Sequence, residues 1–458
     1  MTVSNSRSVE HETGGSARHS APVMIRTLTT ASLVFVLFFT VSGGAYSTET
    51  LVTQVGPGMA LLILLLVPLL WSLPEVLIVG ELASMLPEEG GYYAWVRRAF
   101  GPFWAFQNGW WTWMYSLVDM AIYPVLFNQY LKFFVPGLPE SAHWAVSLAI
   151  IWGAAGINLR GAGNVGRVSM IAGGVILAAF AAMTVLAIPR VSHVPWHPFS
   201  AGEHGIAGTL GVGLSIALWN YIGWDNASTV QGEVADASRS YPKALAITLP
   251  LVTLSYLLPL CATLGASDWH TWHEAGWPDI ARQTGGPLGG FVAIAIAVGG
   301  MISALALYNA LLMSYSRIPF AMAVDEMLPS AVAKTDTRGT PTVAVLVSAV
   351  CYSAFTLLPF SELVVADVVL YALALFLEFG ALIQLRKTEP GLRGSFRIPV
   401  GRGGVIALAM LPVLILLLVV GLGVQDGDYA GPALIGSAIA VAIGPLVYWG
   451  YVRRRISR

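Results

Sequence analysis

The amino-acid sequence predicts an all-α polytopic membrane protein with twelve transmembrane helices, and three observations carry that prediction. Hydrophobic residues make up 56% of the 458 positions and charged residues 11%, whereas about a quarter of a soluble globular domain is charged. The apolar residues form stretches of about 20 or more, the length an α-helix needs to cross the hydrocarbon core. The basic residues concentrate on one side of those stretches.

Twelve apolar stretches are long enough to be spans, at residues 28–55, 57–86, 103–135, 142–158, 165–188, 209–234, 243–266, 287–316, 341–358, 361–385, 403–424 and 430–451. With the N-terminus in the cytoplasm, 21 of the 24 Lys and Arg residues fall on the cytoplasmic side. Only Lys132, Arg190 and Arg282 fall outside. Because cytoplasmic loops collect positive charge, we expect a multi-pass protein of the cell (inner or plasma) membrane, with both termini cytoplasmic and the lipid bilayer as a partner.

The domain organisation follows from these spans. Residues 1–27 are a flexible cytoplasmic tail, 28–385 hold spans 1–10, 386–402 form a cytoplasmic loop, 403–451 hold spans 11–12, and 452–458 form a second tail. A cleaved signal peptide is the alternative reading of the start, because small residues follow the apolar run 31–39. The long polar lead and the return of apolar sequence favour the tail.

Several classes of function have little support in the composition. The two cysteines, Cys261 and Cys351, lie in apolar runs and make no disulfide or metal pattern. All eight histidines fall in the tail, loops or a span end, which argues against a metal site or a histidine proton relay. The net charge is −1, and no phosphate-binding loop is present. We therefore expect no catalytic residue, no metal, no cofactor and no nucleic-acid partner.

Acidic residues, unlike basic ones, lie within the predicted spans. An ionisable side chain at the bilayer centre costs roughly 2.5–3.5 kcal/mol on insertion scales. These acids must be protonated, face water, or meet a cation that arrives from outside. A structural role is favoured for the pair in the cytoplasmic half of span 2, Glu75 and Glu81. The acids are Glu49, Glu75, Glu81, Asp119, Asp225, Asp367 and Glu378.

Two spans contain sequence that favours a break in the helix. Span 1 carries Ser42-Gly43-Gly44, and each interior glycine costs about 1 kcal/mol relative to alanine. Close helix packing through small residues is the alternative explanation. Span 6 carries polar and aromatic residues around Gly223, from Trp219 to Asp225. Because span 6 follows span 1 by five helices, the two run in opposite senses, as in an inverted repeat of spans 1–5 and 6–10.

Broken helices form binding sites because their ends carry partial charge, about half an electron at each end. Unpaired amides hold a carboxylate, and unpaired carbonyls hold an ammonium. Glu49 follows Gly44 by five residues, or about 7.5 Å along the outer half-helix. Asp225 begins the inner half of span 6. We expect both carboxyls near the centre, on opposite walls.

Two sets of motifs resemble the amino acid–polyamine–organocation superfamily. The first runs through 87–96 with Ala99-Phe100-Gly101-Pro102, and the second comprises Ser316-Arg317, Ala321-Met322-Ala323, Asp325, Leu328-Pro329 and Gly339-Thr340-Pro341. The resemblance implies a LeuT-like fold, in which five-plus-five helices form an inverted repeat with helices 1 and 6 broken. It also implies that 87–96 is a short re-entrant segment and that 28–385 is a transport core.

Within the superfamily, the sequence is most similar in pattern to the plant and protist polyamine-uptake transporters, over residues 28–402. Two positions depart from the amino acid permeases: Ala45-Tyr46 replaces a common Ile-Phe, and Arg167 stands near the start of span 5, where many have a lysine within the span. The stretches and residues that carry the similarity are Val41-Ser42-Gly43-Gly44 with Glu49, Gly101-Pro102-Phe103-Trp104, Asp119 with Tyr123-Pro124-Val125-Leu126-Phe127, Trp219-Asn220 with Trp224-Asp225, Gly232-Glu233-Val234, Leu377-Glu378-Phe379 and Arg397-Ile398-Pro399-Val400-Gly401.

The candidate substrate-binding residues are those around the two breaks and the acids near them. An ammonium over an aromatic face gains about 0.5–2 kcal/mol, although each aromatic could instead serve helix packing and each acid a structural role. Glu378, Tyr308 and Tyr371 are candidates for a gate or for coupling. The substrate-binding set is Ser42, Gly43, Gly44, Glu49, Asp119, Trp219, Asn220, Tyr221, Trp224 and Asp225.

The resemblance and the surplus of acids lead to one expected function and one alternative. The first is secondary active import of a polyamine such as putrescine or spermidine, by proton symport and alternating access around a midplane site. The alternative in the same class is an amino acid permease for cationic or neutral amino acids, since the span 1 amides would suit an α-carboxylate. A membrane enzyme or nutrient sensor is disfavoured because no nucleophile–base pair, metal set or long cytoplasmic domain is found.

Overall fold

Sixteen α-helices make up the described part of the chain, and no strand occurs there. The structure is a computed structural model that describes residues 24–201, 206–355, 364–426 and 431–453. The helices are α1 Thr30–Val41, α2 Thr48–Val55, α3 Pro57–Val67, α4 Leu73–Met85, α5 Tyr92–Phe100, α6 Pro102–Leu131, α7 Glu140–Asn158, α8 Ala162–Ala187, α9 Ile206–Trp219, α10 Ala237–Leu264, α11 Trp277–Thr284, α12 Gly289–Val324, α13 Thr342–Phe355, α14 Val364–Thr388, α15 Arg402–Asp426 and α16 Gly431–Val447.

The length and apolar character of these helices fit a membrane protein. Among the described residues, five helical stretches are long and apolar enough to cross a bilayer: Pro57–Met85, Ala162–Arg190, Ala237–Leu264, Gly286–Val324 and Arg402–Leu422. Four shorter apolar helices accompany them. Many large apolar side chains on α8, α12 and α15 are exposed, as expected where lipid replaces water. The chain is therefore a multi-pass membrane protein.

Helices occur in all twelve of the predicted apolar stretches. The π-helical turn Pro68–Ser72 joins α3 to α4 within the second stretch. Helix α12 continues to Val324, several residues beyond the predicted end at 316. Helix α11 was not predicted, although Pro278 near its start and Gly285 after its end are ordinary helix signals.

The first apolar stretch is broken where the sequence predicts it. Thr29 and Ser32 form a capping box that starts α1, and α1 ends at Val41. Gly43 and Gly44 then take φ values of +70° and +107°, which residues with a Cβ rarely adopt. Helix α2 begins at Thr48, so the two glycines end one helix and redirect the chain into the next.

The sixth stretch is broken in the same manner. Helix α9 ends at Trp219, and the chain resumes as the 3₁₀ helix Asn226–Glu233. Gly223 has φ +97°, and a Cβ there would collide with the backbone carbonyl of Thr40. The Ser47 hydroxyl also donates to Asn220 Oδ1 at 3.0 Å. The two breaks therefore touch each other in the middle of the helical assembly.

The helices around the breaks hold them in place. Helix α12 packs on α1, α6, α7 and α8, and α14 packs on α6. Ser303 on α12 donates to the Gly43 carbonyl at 2.6 Å. Tyr256 on α10 donates to the Asn220 carbonyl at 2.7 Å. Two of the backbone carbonyls that the breaks release are thus paired with side chains of neighbouring helices.

Buried ion pairs form away from the breaks. They correct the expectation that the acids within the predicted spans have no basic partner in the chain. Glu81 does have a basic partner, because Arg386 Nε donates to Glu81 Oε1 at 2.7 Å. Arg317 is fully buried within α12, beyond the predicted end of that span, and its Nη2 lies 2.7 Å from Glu233 Oε1. The side chain of Asp367 lies outside the described residues.

Candidate functional site

A cavity lies between the two breaks and is closed by helices α6, α12 and α14. Its walls combine the end of α1, the segment that follows α9, and a group of tyrosines. The lining residues within the described chain are Thr40, Val41, Ser42, Tyr115, Asp119, Tyr123, Trp219, Asn220, Ile222, Gly223, Asn226, Leu307, Tyr315 and Tyr371. Five of the sequence-predicted residues are among them: Ser42, Asp119, Trp219, Asn220 and Tyr371.

Helices α1 and α9 both reach the cavity with their C-terminal ends. Helix α1 ends at Val41 and α9 ends at Trp219, and both residues line the cavity. The C-terminus of a helix carries about half a negative charge on its unpaired carbonyls. Two such ends converging on one space make it favourable for a cation.

The amides of the first break are already used. The Ser42 and Gly43 N–H groups both donate to the Phe38 carbonyl, at 2.8 and 3.1 Å. The Gly44 N–H donates to Ser42 Oγ at 3.1 Å. These three N–H groups are therefore not free to bind the carboxylate of a ligand in the cavity.

Asp119 is the carboxylate that lines the cavity. It lies on α6 and is 8% exposed. The Tyr123 hydroxyl donates to its Oδ1 at 2.9 Å, and the Tyr315 hydroxyl donates to its Oδ2 at 2.8 Å. None of the ion pairs found in the described chain includes Asp119. A negative group held by neutral hydroxyls next to a cavity is suited to a cationic ligand.

Tyrosine rings surround this carboxylate. Tyr115 meets Tyr315 edge to face with ring centroids 5.6 Å apart, and it meets Tyr371 at the same distance. The Tyr115 hydroxyl lies 3.3 Å from Asn226 Oδ1. Aromatic faces near a carboxylate stabilise organic cations through the ring quadrupole.

The two glycines and two of the predicted aromatics do not line the cavity. Gly43 lies against Ser303 and Leu307, and Gly44 lies against Ile176 and Phe180. The Tyr221 hydroxyl donates to the Leu64 carbonyl at 2.9 Å, so that side chain points toward α3. Trp224 is fully buried, and its Nε1 donates to the Tyr221 carbonyl at 2.8 Å. The observed contacts of these four residues are packing and backbone support.

Glu49 lies outside the cavity, on α2, and is fully buried. Neither of its carboxyl oxygens accepts a hydrogen bond from the described residues. Tyr46, Tyr130 and Trp277 are close to it, and Trp277 Nε1 donates to the Ala45 carbonyl at 2.7 Å. Glu49 is therefore a buried acid surrounded by aromatic side chains, and it has no cationic partner in the described chain.

Asp225 and Glu378 lie together on another side of the cavity. The Tyr371 hydroxyl is 3.4 Å from Asp225 Oδ1 and 3.1 Å from Glu75 Oε1. The Glu378 carboxyl lies beside Asp225. Tyr371 thus separates three carboxyls from the cavity that it lines. Tyr308, the other proposed gate, is buried beside Tyr352 and does not line the cavity.

Several lining residues were missed by the sequence reasoning. Tyr115 and Tyr123 lie four residues before and after the predicted Asp119, which places them on the same face of a helix, so that signal was present. Tyr315 and Asn226 gave no such signal, because their approach to Asp119 depends on how α12 and the second break pack.

The sequence is similar to a known family and to named proteins over most of its length. The amino acid permease family profile matches residues 25–444. A protein of Arabidopsis thaliana named "Probable polyamine transporter" is 36% identical over 430 residues, or 92% of this chain and 84% of the relative. Polyamine transporter PUT1 of Oryza sativa subsp. japonica is 35% identical over 412 residues, covering 89% of this chain and 76% of the relative.

A more distant relative carries a different substrate in its name. The serine/threonine exchanger SteT of Bacillus subtilis (strain 168) is 23% identical over 400 residues, covering 83% of this chain and 86% of the relative. The family and these relatives are transporters, not enzymes.

Proposed function

The chain belongs to the amino acid permease family, and we propose that it is a secondary active transporter that imports polyamines by symport with protons. The cargo would be a small linear cation with two or more ammonium groups, of the putrescine or spermidine kind. Import would proceed by alternating access around the cavity between the two helix breaks.

The observation that carries this proposal is that the cavity presents negative groups and few free donors, so it suits a cation better than a ligand with a carboxylate. Two helix C-termini and the Asp119 carboxylate meet there, while the amides of the first break are bonded to Phe38 and Ser42. An amino acid brings a carboxylate that needs donors. A polyamine brings only ammonium groups, which fit carbonyls, carboxylates and aromatic faces.

Residues in and around the cavity have proposed roles. Asp119 binds one ammonium, with the end of α1 near Ser42 and the Asn220 amide completing its coordination. Trp219 and Tyr115 stack on the methylene chain. Glu49 binds a second ammonium on the outer part of the route. Tyr371 serves as a gate on the side of Asp225 and Glu378, and Tyr308 remains a candidate for the opposite gate.

The membrane arrangement is part of the proposal. Twelve spans with both termini in the cytoplasm explain why the basic residues gather on one side. The two breaks in oppositely running stretches support an inverted repeat of the LeuT-like type. We place the protein in the cell membrane, where an importer of external cations would act.

An amino acid permease remains the second candidate, because the family profile and the serine/threonine exchanger both point to amino acid cargo. Labelled putrescine uptake into proteoliposomes separates the two. We expect unlabelled spermidine to compete strongly and serine, leucine or lysine to compete weakly or not at all. Strong competition by the amino acids with none by spermidine would favour the permease.

The need for the buried carboxylates can be tested in the same liposomes. We expect Glu49→Gln and Asp225→Asn to weaken or abolish putrescine uptake while both variants still insert into the membrane. Full-rate uptake by both variants would show that transport needs neither carboxylate.

A further inference from the structure

Three carboxyls from three parts of the chain meet beside the cavity, and we call them the inner carboxyl cluster: Glu75 of α4, Asp225 after the second break, and Glu378 of α14. Glu75 and Glu378 are fully buried and Asp225 is 2% exposed. Glu378 lies next to both Asp225 and Glu75. No pattern in the sequence groups Glu75 with the other two.

Hydrogen bonds to this cluster are too few for three charged carboxylates. The Tyr371 hydroxyl has one hydrogen, which it can give either to Glu75 Oε1 or to Asp225 Oδ1, while it accepts from the Gly223 N–H at 3.0 Å. Glu75 Oε2 and both oxygens of Glu378 have no partner among the described residues. Buried carboxylates without donors or a cation are strongly unfavourable.

Polar atoms on other helices also lie at the cluster without a partner. Asn108 is fully buried, and its Nδ2 donates to the Ala374 carbonyl at 3.2 Å, while its Oδ1 has no donor. Its side chain lies beside Glu378. An Oδ1 beside that carboxyl can accept a hydrogen bond from its protonated form. The Tyr92 hydroxyl also lies near Asp225 and Glu378.

The groups that face the cluster carry no positive charge. Trp71 faces Glu75, and four tyrosines approach from the surrounding helices: Tyr92 of α5, Tyr115 of α6, Tyr241 of α10 and Tyr371 of α14. In the described chain, the ion pairs of Arg317 and Arg386 are made with other acids. The positive charge that balances this cluster must therefore be brought to it.

We propose that the inner carboxyl cluster is the site that binds the transported protons, separate from the Asp119 site that binds the cargo. This deepens the proposed function and rests on it. In the arrangement seen here, at least one of the three carboxyls holds a proton, shared between Glu378 and Asp225. Tyr371 connects the two sites, because it lines the cavity, bonds the Gly223 amide of the second break, and donates to the cluster.

Movement of the second break would alter the bond between Gly223 and Tyr371 and change which carboxyl the hydroxyl serves. The carboxyl that gains this donor or gains access to water is stabilised in its charged form and releases its proton to water, whereas the carboxyl that loses the donor holds its proton more tightly. Cargo movement through the cavity is thereby tied to protonation of the cluster without direct contact between the ammonium and the proton.

The test uses the purified full chain in proteoliposomes with two readouts. Counterflow exchanges labelled for unlabelled putrescine and needs no net proton movement. Internal acidification on adding external putrescine, read by a trapped pH-sensitive dye, reports symported protons. We compare the wild type with Glu75→Gln and Glu378→Gln. Glu389→Gln, which alters an exposed ion pair with Arg98, is the matched control.

We expect both cluster variants to retain counterflow and to lose putrescine-driven acidification, and Glu389→Gln to retain both. Acidification at the wild-type ratio to uptake in both cluster variants would overturn the proton site and leave polyamine transport intact. Loss of counterflow in both would show that the cluster belongs to the cargo site instead, and would also overturn it. A wild type that moves no putrescine would instead overturn the proposed function.

Folding of the two variants supplies a further check, because a glutamine side chain has nearly the same shape as a neutral glutamic acid side chain. We expect both variants to elute as folded protein in detergent. Failure of both to fold would indicate that the cluster needs its negative charges in place, and that result contradicts the proposal. An infrared band of protonated carboxyl that Glu378→Gln removes would support it.

Discussion

Two groups of buried acids in this protein differ in what balances their charge. Glu81 and Glu233, near the loop ends of their helices, are each bonded by a buried arginine, Arg386 and Arg317. Glu49, Asp119, Asp225 and Glu378, around the helix breaks, have no basic partner among the described residues. In the first group, an arginine of the chain balances the negative charge. In the second group, that charge is balanced only by a cation that the chain does not supply.

The largest expected effect is on the paired group. Arg317→Met would leave Glu233 buried without its partner, and breaking one side of a buried ion pair costs about 3–5 kcal/mol. We expect a lower unfolding temperature and a poor yield of monodisperse protein in detergent. Arg98→Met is the control, because its pair with Glu389 is exposed, and we expect that variant to unfold like the wild type. Equal unfolding temperatures for all three proteins would contradict the distinction.

A second comparison uses the same substitution in both groups. Glu81→Gln removes the partner of buried Arg386 and should destabilise the protein by about 3 kcal/mol. Glu49→Gln removes no existing bond and should leave stability near that of the wild type while it reduces putrescine uptake. Thermal unfolding and putrescine uptake are measured on both variants. We expect the larger loss of stability in Glu81→Gln, and a loss of uptake without a loss of stability in Glu49→Gln. If Glu49→Gln is the less stable of the two, the account of the unpaired group is wrong.

A smaller effect is expected at the hydroxyls around Asp119. Tyr123→Phe removes one neutral donor and keeps the carboxylate, so cargo affinity should change by about tenfold or less, the equivalent of about 0.5–1.5 kcal/mol. Titration of the purified variant with putrescine measures the shift. A complete loss of binding would place the Tyr123 hydroxyl, and not the carboxylate, at the centre of recognition.

Most of the helical pattern could be predicted, because apolar stretches of bilayer length leave few alternatives. The breaks were predicted from Gly43, Gly44 and Gly223, where the chain does take left-handed φ values. Helix α11 was missed because its short sequence is not apolar throughout. The pairing of Glu81 with Arg386 was missed because the two lie 305 residues apart, and no local pattern joins them.

The site was predicted less completely than the fold. Residues that form the breaks were identified, but the sequence does not tell which of them turn toward the cavity. Tyr221 and Trp224 turn away, whereas Trp219 and Asn220 line it. The inner carboxyl cluster likewise depends on how α4 and α14 pack against the second break. Side-chain direction at a broken helix is set by tertiary contacts, and helical periodicity does not continue through the break.

The central claim is that Asp119, lacking a cationic partner in the described chain, binds an ammonium of the cargo. Equilibrium binding of putrescine to the purified wild type and to Asp119→Asn tests it most directly. A hydrogen bond to a charged group contributes about 1.5–3 kcal/mol, so we predict a loss of affinity of about 10- to 150-fold in a variant that remains folded. Unchanged putrescine affinity in folded Asp119→Asn would contradict the claim.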